Sequence, residues 1–176
     1  PFGWQELEGI HNRTDYDLSR HSEFSGKDLT YLEEQSRERY VPYIIETSAG
    51  LTRSVLMAIS DAYDEEEVAE GDTRTVLRFH PKIAPITVGV FPLVKKDGLA
   101  ELAREIEADL REDFATFYDQ SGAIGRRYRR QDEAGTPFCV TIDYETKEEN
   151  TVTLRFRDSM EQVRVPVSGL AERIRT

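Results

Sequence analysis

Two prolines four residues apart constrain this chain more than any other feature. In His80-Pro81-Lys82-Ile83-Ala84-Pro85 neither ring can sit inside a helix or the middle of a sheet ladder, so the segment predicts an extended connector. Just before it, Asp64, Glu65, Glu66, Glu67, Glu70 and Asp72 crowd around Gly71, which reads as a solvated helix end running into a linker. The expected organisation is one domain over residues 1–70, a connector over 71–84 and a second domain over 85–176.

Beyond the connector the pattern alternates between strand and helix. Residues 86–94 form an almost continuous apolar run, as in a strand covered on both faces. Leu99, Leu102, Ala103, Ile106, Leu110 and Phe114 then mark one helical stripe. A short strand at 116–118, a basic helix at 123–133 and strands at 138–144, 152–156 and 163–165 follow, with a closing helix at 170–174. Before the connector, strand character falls at 5–13, 29–34 and 40–46, and Thr14 to Asp17 can cap and open a helix. After the turn at Ser48 and Gly50, Leu51, Val55, Leu56, Ile59 and Ala62 recur at helical spacing. The fold class expected is α/β (α+β), a mixed sheet flanked by helices.

Composition enters through charge. With 23 Lys and Arg against 34 Asp and Glu, a net charge of -11 excludes a protein that coats DNA or RNA by backbone electrostatics alone. Residues 1–83 carry net -8 and residues 84–176 net -3, so any contact with nucleic acid is local, and the second half is the less hostile to phosphate. There Arg126, Arg127, Arg129 and Arg130 place four guanidinium groups within five residues. At 38% hydrophobic residues the chain can bury a core, and no apolar run approaches the ~20 residues needed to cross a bilayer. Its one cysteine, Cys139, excludes an internal disulfide and fits a reducing compartment, so a cytoplasmic protein without membrane contact is expected.

The stretch with most chemistry is Ile45-Glu46-Thr47-Ser48-Ala49-Gly50-Leu51-Thr52-Arg53. A carboxylate and a hydroxyl leave a strand end just before a glycine turn and a helix that bears an arginine. Arg53 lies opposite the apolar stripe, where its planar fork can satisfy two phosphate oxygens. Glu46 can receive an ammonium group beside Ser48. The plainer alternative is that Glu46 ends a strand, Ser48 caps the helix and Arg53 is solvated.

This stretch resembles motif 3 of the class II aminoacyl-tRNA synthetases, in the wording of glycyl-tRNA synthetases of the homodimeric type. The resemblance covers nearly the whole chain. Phe2 to Ile10 with Arg13-Thr14-Asp15-Tyr16-Asp17-Leu18 resembles the segment before motif 3, and Tyr40-Val41-Pro42-Tyr43 leads into it. The stretch from Leu77 to Pro85 resembles the passage into the anticodon-binding domain. Inside that domain, Asp119 to Tyr128 and Gly135 to Val140 match as well. The family commonly has proline where Thr47 stands, and often glycine where Gln5 stands.

The resemblance implies the end of a class II antiparallel-sheet catalytic domain followed by a mixed-sheet α/β anticodon-binding domain. It implies ligation of glycine to its tRNA, with ATP and Mg²⁺ as cofactors and a homodimer in the full-length enzyme. Glu6 and Leu7 would contribute to the ATP site, Glu6 also toward Mg²⁺, with Gly50, Leu51, Thr52 and Arg53 touching ATP. Glu46, Thr47, Ser48, Ala49 and Gly50 would line the glycine pocket, and Glu6 and Arg53 would be catalytic. Motifs 1 and 2 would precede Pro1, so the chain alone is expected not to aminoacylate.

For the arginine cluster the expectation is contact with the anticodon stem-loop through Arg126, Arg129 and Arg130. The alternative is a solvated face paired with Asp132 and Glu133. His11, His21 and His80 have no spacing typical of a metal site. Two other functions compete: a non-catalytic synthetase-like nucleic-acid-binding or accessory subunit, and a synthetase of the same subclass for another amino acid. Retention of Glu46, Ser48, Gly50 and Arg53 together counts against the first.

Overall fold

The computed structural model describes residues 3–175. They divide into two compact units, Pro1–Met57 and Ala58–Thr176.

The first unit contains β1 (Glu8–Asn12), α1 (Tyr16–Ser25), β2 (Tyr31–Leu32), β3 (Arg39–Tyr40) and β4 (Ile45–Ala49). β1 pairs antiparallel with β4, and β2 with β3. The predicted strand at 40–46 is therefore two. Pro42 lacks the N–H that a continuous ladder needs, and the second strand runs on through Glu46, Thr47 and Ser48 instead of ending at Glu46. α2 (Leu51–Ala62) starts in this unit as predicted, but most of its apolar stripe is open: Leu51, Val55, Leu56 and Ile59 are exposed and Ala62 is buried. Among the described residues of this unit only Gly9 is buried.

The second unit has a real core. β7 (Val88–Pro92), β8 (Thr116–Tyr118), β9 (Phe138–Ile142), β10 (Thr151–Phe156) and β11 (Gln162–Pro166) form one sheet in the order β11-β10-β9-β7-β8. β8, β7 and β9 are parallel, while β10 and β11 join antiparallel, so the sheet is mixed as expected. Alternation along the strands gives the sheet two different faces. Val88, Val90, Val140, Ile142, Val152 and Leu154 point to one of them, where Leu99, Ala103, Ile106 and Leu110 of α3 (Leu99–Arg111) and Leu170 and Ile174 of α6 (Leu170–Arg175) complete an apolar core. α4 (Ile124–Ala134) is associated with residues of the other face: Tyr128 packs edge-on against Phe91 and bonds Thr141 through its hydroxyl at 2.6 Å.

Two local expectations fail here. The acidic stretch 64–72 is not a helix end but a hairpin, β5 (Tyr63–Ala69) and β6 (Asp72–Leu77), turned at Gly71 with φ +74°. β6 therefore occupies part of what was read as a connector. Its arginines explain the acids: Arg78 bonds Asp64 and Glu66, and Arg74 pairs with Glu66. The strand read over 138–144 stops at Ile142 and is followed by α5 (Tyr144–Glu149), where Asp143 and Thr146 form a capping box.

Candidate functional site

The register of β1 against β4 builds the first constellation. Gly9 lies opposite Ser48, Ile10 opposite Thr47 and His11 opposite Glu46. The pairing extends to Arg13, whose N–H donates to the Ile44 carbonyl at 2.9 Å. Directly opposed residues of an antiparallel pair share a face and neighbours alternate. Gly9, His11, Glu46 and Ser48 therefore share one face, and Thr47 and Ala49 belong to the other, with Ile10 and Glu8.

Arg13 closes this group. Its Nε lies 3.2 Å from Oε2 of Glu46, while Nε and Nη2 donate to the Asp17 carboxylate at 2.5 and 2.9 Å. Asp17 thus occupies the side of the guanidinium fork, and Nη1 has no protein partner among the described residues. The hydrogen bond with Asp17 raises the Arg13 pKa above its usual value and lowers that of Asp17. The result is a fixed cation beside a carboxylate, with the Ser48 side chain on the same face and the His11 ring covering the Gly9 backbone. Arg13, Asp17 and His11 were not singled out from sequence as site residues; the period-two alternation of the two strands, once paired, is the signal that brings them in.

Arg53, in the first turn of α2, donates to the backbone carbonyl of Glu6. Beside it, Gly3, Trp4, Leu7, Thr52, Leu56 and Met57 line an open hollow of about 640 Å³. An indole and aliphatic walls next to a guanidinium suit a nucleotide, with stacking for the base and charge for the phosphates. Among the described residues no group of three His, Cys, Asp or Glu can hold a metal.

The arginine cluster on α4 splits in the structure. Arg127 is buried and donates to the carbonyls of Pro92, Leu93 and Asp119. It is structural, and burial pushes its pKa down. Arg129 pairs with Asp72 at 2.7 Å, and Arg130 bonds Asp119 and the Ser121 carbonyl. Arg126 is exposed and makes no ion pair among the described residues. It stands in the first turn of α4, next to Gly125, where a Cβ would meet open space. Burial raises the Asp119 pKa, but bonds from the Ser121 N–H and hydroxyl and from Arg130 outweigh this and hold it at about 2.

On the α4 side of the sheet the second unit also buries a polar network that sequence reading missed. Asp132 bonds Arg155 and Arg74, and Arg157 donates to the Gly135 carbonyl. None of the described helices is long and apolar enough to cross a membrane.

Residues 87–176 match the family model described as an anticodon binding domain. The whole chain aligns with proteins named glycine–tRNA ligase, at 70% identity over 181 residues in Treponema denticola and 60% over 178 residues in Borrelia hermsii. A third, from Treponema pallidum, is 53% identical over 201 residues. The chain spans about 40% of the length of these relatives, 44% for the third.

Proposed function

The chain belongs to the anticodon-binding domain family through residues 87–176, and on that premise we propose that it is part of a glycine–tRNA ligase. In this reading the second unit holds the anticodon arm of glycine tRNA, and the first carries one wall of the site that activates glycine with ATP.

The observation that carries the proposal is the pairing of Glu46 with Arg13 at 3.2 Å, on the face that also carries Ser48 and His11. An amino acid is a zwitterion, so its site needs an anion for the ammonium and a cation for the carboxylate within a few ångströms of each other. Glu46 takes the ammonium, the open end of the Arg13 fork faces the carboxylate, and Ser48 offers its hydroxyl between them. Thr47, Ala49 and Gly50 contribute backbone, since the first two side chains belong to the other face. The substrate carboxylate attacks the α-phosphate of ATP, pyrophosphate leaves, and the aminoacyl group then passes to the terminal ribose of tRNA. Arg53 neutralises phosphate charge, and Glu6, Leu7, Leu51 and Thr52 complete the nucleotide side; such catalysis is mainly positioning and electrostatics. Glu6 would supply a carboxylate toward Mg²⁺, which would screen the phosphate charge.

The open face of α2 and the lack of buried side chains among the described residues of the first unit support a larger catalytic domain in the whole protein, in which this surface is covered. Assembly as a homodimer and a cytoplasmic setting belong to the same proposal, because both come with the glycyl-tRNA synthetase resemblance. On the tRNA side Arg126 is the free cation for a phosphate, and Arg129 and Arg130 would have to exchange carboxylate partners to join it. The test is glycine-dependent exchange of pyrophosphate into ATP by a protein of the relatives' length that carries this segment. Strong exchange with glycine is expected; exchange with another amino acid and none with glycine would refute the reading.

A further inference from the structure

We infer that His11 sets the size of the amino-acid site, leaving room at the substrate's α-carbon for hydrogen but not for a methyl group. The inference rests on the glycine-ligase reading and deepens it.

It starts from what covers Gly9. A Cβ built on Gly9 would collide with the imidazole of His11: Nδ1 and Nε2 would both stand 3.2 Å away and Cε1 closer still. The ring therefore lies over the Gly9 backbone, on the face that also carries Ser48 and Glu46. His11 is itself directly opposite Glu46 in the ladder. The ring nitrogens have no hydrogen-bond partner among the described residues, and the side chain is exposed, so His11 neither packs into a core nor ties down a loop. What it does in this fold is occupy space above a glycine at the edge of the proposed ammonium site.

The other residues of that face cannot do this. Ser48 is too small to wall off a methyl group, and Glu46 is fixed by Arg13 and by its task with the ammonium. Thr47 and Ala49 belong to the opposite face. Selection for glycine cannot rest on attraction, because glycine offers nothing that alanine lacks; it has to rest on exclusion. A compliant apolar pocket separates substrates differing by one methyl by only about 10- to 200-fold. A planar ring resting on a backbone without a Cβ is a stiffer wall, because the ring cannot retreat toward the strand.

The experiment measures kcat/KM for amino-acid-dependent pyrophosphate exchange with glycine and with alanine, in a protein of the relatives' length carrying this segment. His11→Ala should lower the preference for glycine over alanine by about tenfold or more, the effect of opening space for one methyl. His11→Gln, which keeps most of the bulk, should retain the greater part of that preference. Gly9→Ala, which must displace the ring, should lower kcat/KM for glycine. A parent that prefers glycine together with a His11→Ala variant whose preference stays within twofold of the parent's would overturn the inference alone. Equal losses in His11→Ala and His11→Gln would also overturn it, since the imidazole and not its size would then matter. A parent that activates neither amino acid refutes the glycine-ligase reading and the inference with it.

Discussion

Asp132 accepts hydrogen bonds from both terminal nitrogens of Arg155, at 2.7 and 3.0 Å, in a part of the second unit where neither residue reaches solvent. Arg74, from β6, adds a third bond to the same carboxylate at 3.2 Å. A buried carboxylate between two guanidinium groups is worth little against an apolar replacement of the whole set, but removing one partner strands the others. Asp132→Asn should therefore cost about 3 kcal/mol or more in urea unfolding of the chain. A loss below about 0.5 kcal/mol, the size of an ordinary surface substitution, would show the network to be dispensable.

The same network assigns the β5–β6 hairpin to the second unit. Phe79 is buried, and a Cβ on Gly135 would collide with its ring, so the chain after β6 is also packed against the end of α4. A fragment of residues 58–176 should unfold in one cooperative transition, whereas a fragment of residues 84–176 should lose that cooperativity or fall markedly in stability. Equal thermal midpoints for the two fragments would mean that the hairpin is an appendage.

The β5–β6 hairpin is not legible in the sequence for a physical reason. Apolar periodicity was strong enough to give β7, α3, β9 and β10 from the residues alone, because Val88 to Phe91 and Leu99 to Leu110 bury apolar side chains at regular spacing. In β5 the inward positions hold Asp64 and Glu66, so alternation of hydrophobicity is missing, and the arginines that satisfy them lie on the next strand (Arg74) and just after it (Arg78). Arg74 fills a core position with a charge. The site was half legible in the same way: Glu46 and Ser48 stand in one motif, whereas Arg13, Asp17 and His11 reach them only through the register of β1 on β4.

Asp119 gives a pH dependence of definite sign. Its folded pKa of about 2 lies below the ordinary value of 3.8, so its contribution to stability is complete above about pH 4 and is lost as pH falls toward 2. The contribution is about 1 to 2 kcal/mol, the gap between the two values reduced for the solvent that still reaches the group. In Asp119→Asn the fall in unfolding free energy from pH 4 to pH 2 should be smaller by that amount. An identical slope in parent and variant would remove Asp119 as the cause.

The arginines of α4 should separate in tRNA binding. Arg126 makes no ion pair among the described residues, while Arg129 is engaged with Asp72 at 2.7 Å. Arg126→Gln should weaken binding of glycine tRNA and lower the salt slope by about one unit, as expected for one lost phosphate contact. Arg129→Gln should change the slope by less. The reverse order, measured by titration over a range of salt, would place the RNA contact nearer the hairpin.

The central claim, that Glu46 receives the ammonium of glycine, is tested most directly by charging glycine tRNA with labelled glycine, using a protein of the relatives' length and its Glu46→Gln variant. Removing a charged hydrogen bond of about 1.5 to 3 kcal/mol predicts a fall of roughly tenfold to a hundredfold or more in kcat/KM for glycine, at an unchanged thermal midpoint. Charging of glycine that is equal in the two proteins would contradict the account.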